Sequence, residues 1–232
     1  MCGRLNFIDD LFMRSSLLEL SVANPNDMEY CRFKKPTDEI FIIRETQGVR
    51  RLQKANWWLL QDMSYEGFTP SRFTSFNTRC DKLNQPNSAG YQPFRESRCV
   101  ILAKGFGETE KHETGVEYYD FIAQDSAITL AGLYKEWRHP KTGEYRVSCS
   151  IITNPPHPDL VPYHSKASPL ILPQASPLLD AWLDMSHHNL QMFDELFVPA
   201  LRHNFLVQQI DKPSSYKPKG EAILLRPDRG VN

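Results

Sequence analysis

Apolar and polar positions along this chain fall into short blocks of strand length, and extended helical periodicity is rare. The runs EIFIIRE (from Glu39), VRRLQKANWWLL (from Val49), FTSFNTRC (from Phe73), RCVILAKGF (from Arg98), EYYDFIA (from Glu117), ITLAGLYKEW (from Ile128) and YRVSCSIIT (from Tyr145) predict strands. FLVQQI and EAILLRP predict two more near the end. Turn-prone stretches such as NQPNSAG and HPKTGE lie between them, so antiparallel connections are expected. Helices are few. DDLFMRSSLLEL sets Leu11, Phe12, Leu17, Leu18 and Leu20 behind a cap at Asp9 or Asp10, which predicts a helix directly after the first four residues. SPLLDAWLDM opens with Ser176 as N-cap and Pro177 at the first helical position, and NLQMFDELFVPAL predicts another short helix. The polar, glycine-containing stretch from Gly105 to Val116 reads as a turn or the rim of a site.

Composition narrows this picture. With 232 residues, 41% of them hydrophobic, the chain can bury one sizeable core, and one domain over residues 1–232 is expected. It has no apolar run of about 18 residues and no start resembling a signal peptide, which predicts a soluble, cytoplasmic protein with no membrane partner. The five cysteines are widely spaced with no C-x-x-C pair, so neither a disulfide framework nor a zinc ribbon is indicated. The formal net charge is -1, yet residues 1–104 carry fifteen Lys and Arg against twelve Asp and Glu. A surplus of that size is ordinary for a solvated surface and does not by itself indicate nucleic acid.

Candidate chemistry begins at MCGR. Initiator methionine is removed when the next side chain is small, which would make Cys2 the first residue. Its α-amine, with a pKa of about 7.7–8.0, then stands beside a thiol of about 8.5, and both are partly deprotonated near neutral pH. Such a 1,2-aminothiol serves as an N-terminal nucleophile or traps an aldehyde as an imine that the thiol closes into a thiazolidine. An incidental cysteine is the competing reading of these four residues. Further along, Asn77 and Arg79 are two apart, so on a strand they share a face, with Asp81 following. RCVILAKGFGE ends an apolar strand in Glu108, which is either ordinary loop polarity or, beside an ammonium, a proton acceptor. Thr153 falls at a strand end and His164 in a proline-rich segment, where a lone histidine is commonly structural or solvated. Trp57 and Trp58 read either as one core and one half-exposed residue or as part of a basic, aromatic strand facing DNA.

Taken in order, these stretches resemble the SRAP (SOS response-associated peptidase) family, whose members crosslink to abasic sites in DNA. MCGR is intact, Asn77 and Arg79 match the family's N-A-R with Asp81 at its acidic position, and Glu108 matches the glutamate after a Gly-aromatic turn. Thr153 and Asn154 match a T-N pair, and His164 matches the histidine of H-x-R. Thr109 stands where the family usually has tryptophan, Phe33 where an asparagine precedes Pro36, and Lys166 where arginine is usual.

The resemblance implies an α+β single domain with a mostly antiparallel, barrel-like β-sheet core and a few flanking helices. It implies a monomer, without metal or cofactor, acting on abasic sites in single-stranded DNA or at single-strand/double-strand junctions. Cys2, Asn77, Glu108 and His164 would be catalytic, and Gly3, Arg4, Pro36, Arg79, Thr153 and Lys166 would contact DNA. Crosslink reversal, strand cleavage by lyase chemistry and autopeptidase activity come with the same resemblance. Class II glutamine amidotransferases also begin M-C-G and are the rival, although they commonly carry an N-G oxyanion pair and an R-G-P-D-like motif. This chain has no N-G dipeptide, and its only similar stretch is RPDRG at the C-terminal end. A DNA-binding module that does not crosslink is a third reading if Met1 is retained.

Overall fold

The computed structural model describes residues 3–230. In chain order the first elements are β1 (Arg4–Phe7), α1 (Leu11–Glu19), β2 (Cys31–Lys34), β3 (Glu39–Thr46), β4 (Val49–Asn56), β5 (Gln61–Ser64), β6 (Gly67–Pro70) and β7 (Asn77–Arg79). There follow α2 (Tyr91–Glu96), β8 (Arg98–Ala103), β9 (Gly105–His112), β10 (Gly115–Ala123), β11 (Ile128–Arg138) and β12 (Tyr145–Asn154). β13 (Ser168–Pro169), α3 (Pro177–Leu183), β14 (Phe205–Ile210) and β15 (Pro218–Leu225) complete the chain.

The long apolar strands pair as β11-β8-β3-β4-β12, and β12 returns to β11, so five strands close into a barrel. The closing seam between β12 and β4 is a single parallel bridge at Ser148 and Asn56. Closure explains why RCVILA of β8 is buried at every position: one face of the strand looks into the barrel and the other is covered by α1 and α3. A second, antiparallel sheet runs β15-β14-β10-β9-β1-β2. The fold is thus the expected α+β arrangement with a barrel-like, mostly antiparallel core. No helix among the described residues is long and apolar enough to cross a membrane.

Local signals placed two helices well. Asp10 caps α1 by accepting from the Met13 amide at 2.8 Å, and Ser176 accepts from Leu179 at the start of α3. Four expectations need correction. The strand β1 lies between the first four residues and α1, because Arg4–Phe7 is taken up by pairing with β9. RCVILAKGF is two strands: the chain passes from the barrel to the second sheet at Lys104, whose Nζ is held by Asp10 at 2.8 Å and the Ser126 carbonyl at 3.0 Å. Gly105 permits that passage, since a Cβ there would stand 2.0 Å from the Phe121 carbonyl oxygen. The stretch from Gly105 to Val116 is accordingly no loop but the β9–β10 hairpin. NLQMFDELF coils as a 3-10 helix over Leu190–Phe197. Trp57 and Trp58 follow β4: Trp57 is buried and Trp58 half-buried, and their ring N–H groups donate to the Phe76 and Ser71 carbonyls, both at 2.9 Å.

A buried carboxylate and histidine cluster beside the N-terminal strand

β1 lies antiparallel to β9 with Arg4 opposite Gly107 and Leu5 opposite Phe106. Side chains alternate along β9, so Glu108 and Glu110 share one face while Gly107 and Thr109 share the other. The face carrying the glutamates is walled by aromatic rings. Phe106 stacks on Phe121 of β10 at 4.7 Å, and the Tyr163 ring packs edge-on against Tyr119 at 5.2 Å and Phe121 at 5.9 Å. Tyr163 follows a 3-10 turn over Pro158–Leu160, and the His164 amide donates to the Leu160 carbonyl at 2.8 Å. The aromatic contact and this turn together carry the next side chain, His164, onto the two glutamates.

His164 Nδ1 stands 3.0 Å from a Glu110 carboxylate oxygen, and Nε2 stands 3.6 Å from Glu108. The first is a close ion-pair distance without the direction of a hydrogen bond, and the second is looser electrostatic contact. Glu108 is 2% exposed, and burial pushes its pKa up to about 7, against the pull of the Arg4 charge. Burial pushes His164 down to about 4, with Glu110 offsetting part of the cost. For Glu110 burial acts upward, but two hydrogen bonds from Ser165 and the nearby His164 outweigh it, and the carboxyl titrates below its ordinary range. Near neutral pH the cluster therefore holds a neutral imidazole between an ionised Glu110 and a Glu108 at its titration point, which suits general acid–base chemistry.

Raising the Glu108 value has a stability consequence. The native state keeps a proton that the unfolded chain releases in the ordinary carboxylate range, so Glu108 costs stability as pH climbs from that range to about 7. His164 has the opposite slope, with stability gained as pH rises from about 4 to the usual histidine range. Glu108→Gln keeps the shape and removes the charge, so it is expected to raise the melting temperature at pH 8 relative to pH 5, by at most about 2–3 kcal/mol in stability. A calorimetric difference between variant and parent that is the same at both pH values would mean that Glu108 titrates as an ordinary glutamate.

The sequence model of the SOS response associated peptidase (SRAP) family matches residues 1–213. The chain belongs to the SRAP family. Among curated proteins it is similar to the abasic site processing protein HMCES of Gallus gallus, at 26% identity over 172 residues, 65% of this chain and 50% of that one. The protein of the same name from Xenopus tropicalis is 25% identical over 130 residues, 47% of this chain and 39% of that one. The chain thus spans about half or less of the length of these relatives. A crystal structure from Bacteroides thetaiotaomicron shares the fold with a TM-score of 0.75 at 20% identity, covering 93% of this chain and 95% of that one. A phage-related protein from Bordetella bronchiseptica also shares it, with a TM-score of 0.64 at 16% identity and 91% and 95% coverage.

Within this SRAP fold, the residues singled out from the sequence fall into three groups. Glu108 and His164 meet in the cluster above. Arg79, Thr153 and Lys166 meet in an adjoining cleft of about 450 Å³, whose walls are the ends of β7 and β12 and the segment after His164. Thr153 pairs with Arg79, and the exposed Arg79 guanidinium lies against Asp81 in two bonds of 2.9 and 2.7 Å. Asn77 begins the same short strand and is half-buried opposite Ile151, sharing a face with Arg79 as expected. Arg4 belongs to neither site. It is 7% exposed, lies on the Gly107–Thr109 face of the sheet, and donates to the Glu108 carbonyl at 2.7 Å, the Tyr119 carbonyl at 3.2 Å and the Thr109 hydroxyl at 2.8 Å. Thr109, where tryptophan is usual, thus anchors the Arg4 side chain. Phe33 sits beside the same arginine, its ring centroid 5.8 Å from the guanidinium carbon. Pro36 lies in the turn between β2 and β3, and Gly3 immediately precedes β1. Cys2 lies outside the described residues. Glu110 is not legible in the sequence, where its stretch reads as a loop, whereas a strand through Glu108 places the residue two further on upon the same face.

Proposed function

We propose that this SRAP protein processes abasic sites, trapping the ring-opened sugar in single-stranded DNA through Cys2. The reading is supported above all by Glu108: a carboxylate with a pKa of about 7, next to the strand that leads from the N-terminus, matches an α-amine of about 7.7–8.0 well enough to take its proton. The amine attacks the C1′ aldehyde carbon, water leaves to give an imine, and the thiolate adds to the imine carbon. The ring that closes is a thiazolidine, and the balance is aldehyde plus aminothiol giving adduct plus one water. His164 exchanges protons with the sugar oxygens during ring opening and, in the reverse sense, during release. Asn77 orients the sugar from the neighbouring strand.

Arg79 and Lys166 receive phosphates along the cleft with Thr153 beside them, a term that weakens as salt rises. Arg79 can exchange Asp81 for a phosphate at small cost, because an exposed ion pair contributes little. Arg4 supports the site from the far face of the sheet. With no base to read, sequence preference is weak.

Intact mass spectrometry of the protein after incubation with a uracil-glycosylase-treated oligonucleotide tests this reading. One adduct per chain, at the summed mass less one water, is expected. Glutamine hydrolysis with no DNA adduct would instead assign the chain to the amidotransferase class.

A further inference from the structure

Glu110 has no role in the chemistry just set out, although it is the carboxylate nearest His164. It is 8% exposed, and among the described residues the polar contacts of its carboxylate all go to the segment that bears the histidine: Nδ1 of His164 at 3.0 Å, the Ser165 hydroxyl at 2.7 Å and the Ser165 amide at 3.3 Å. A neutral imidazole has one N–H and one lone pair, and the partner of one nitrogen decides the character of the other. An ionised carboxylate 3.0 Å from one ring nitrogen favours, by its charge, the tautomer that carries the proton on that nitrogen. We propose that Glu110 is a positioning residue that keeps the proton of His164 on Nδ1 and leaves Nε2, on the Glu108 side, as the basic nitrogen that exchanges protons with the sugar. The proposal rests on the abasic-site reading for its substrate, but the tautomer it assigns is a property of the free protein.

In the closed sugar, Nε2 removes the proton of the C1′ hydroxyl while the C1′–O4′ bond breaks, and O4′ then takes a proton back from the imidazolium. The result is the aldehyde, with no net change in protons. Glu110 stabilises the transient imidazolium through Nδ1. Among the described residues, the other charged groups facing this histidine are Glu108 from β9 and Lys166 from its own segment, of opposite sign to one another.

Two measurements decide the matter. Long-range ¹⁵N–¹H NMR of the free protein at pH 7 is expected to show His164 with Nδ1 protonated and Nε2 unprotonated. Glu110→Leu should populate the other tautomer, and Ser165→Ala, which removes one of Glu110's other contacts, should not. A wild-type His164 protonated on Nε2, or an unchanged tautomer in Glu110→Leu, would overturn the proposal. Should that variant fail to fold, Glu110→Gln serves: it keeps an acceptor but loses the charge. It is expected to slow adduct formation about tenfold, a small part of what general acid–base catalysis can supply, at unchanged affinity for abasic DNA. An unaltered rate and pH profile in Glu110→Gln would equally overturn the proposal. If the wild-type protein forms no adduct at all, the abasic-site reading falls, while the NMR comparison still decides the role of Glu110.

Discussion

A protein with any residue or tag ahead of Cys2 is expected to bind abasic oligonucleotides almost normally and to give no heat-stable adduct on a denaturing gel. Retained Met1 suffices. The thiol and every phosphate contact remain, and only the primary amine is lost. The thiazolidine needs that nitrogen in its ring, and an amide nitrogen has its lone pair delocalised into the carbonyl. A cleavable tag that regenerates Cys2 should restore the band. Cys2→Ala should behave like the blocked protein, with weak, salt-sensitive binding and no adduct. Cys2→Ser keeps the amine and can form the imine, so an adduct should appear with it only after borohydride reduction. A heat-stable band from Cys2→Ser without reduction would rule out ring closure by sulfur.

Glu108→Gln is expected to reduce the rate of adduct formation by about 10²–10⁴, the usual worth of a positioned general base. The pH profile carries the argument. In the parent protein the rate rises with pH through about 7 as Glu108 becomes able to accept a proton, and it rises again as the amine, at about 7.7–8.0, deprotonates. Removing the carboxylate should abolish the first limb and keep the second. The same substitution is expected to stabilise the fold above neutral pH, so slow chemistry in a protein that melts higher would tie the loss to the proton acceptor and not to damage. A variant that keeps the limb near pH 7 would transfer that ionisation to another group.

The elements legible in the chain were those whose causes are local. The cap at Ser176 and the proline after it specify α3, the aromatic-rich run EYYDFIA specifies β10 and the alternation in YRVSCSIIT specifies β12, because capping, strand propensity and side-chain period act over a few residues. Motif order likewise singled out Asn77, Arg79, Glu108, Thr153 and His164, and the last four fall into two adjoining sites. Tertiary structure decided what depends on partners far along the chain. The break at Lys104 follows from Gly105 passing against Phe121, 16 residues away, so a stretch with loop-like composition became a strand. That strand turned Arg4 to the far face of the sheet and brought Glu110 onto the face of Glu108. The titration of Glu108 near neutrality is also tertiary: a free glutamate is an ordinary acid, and only burial beneath the aromatic wall makes its charged form costly enough to hold a proton at pH 7.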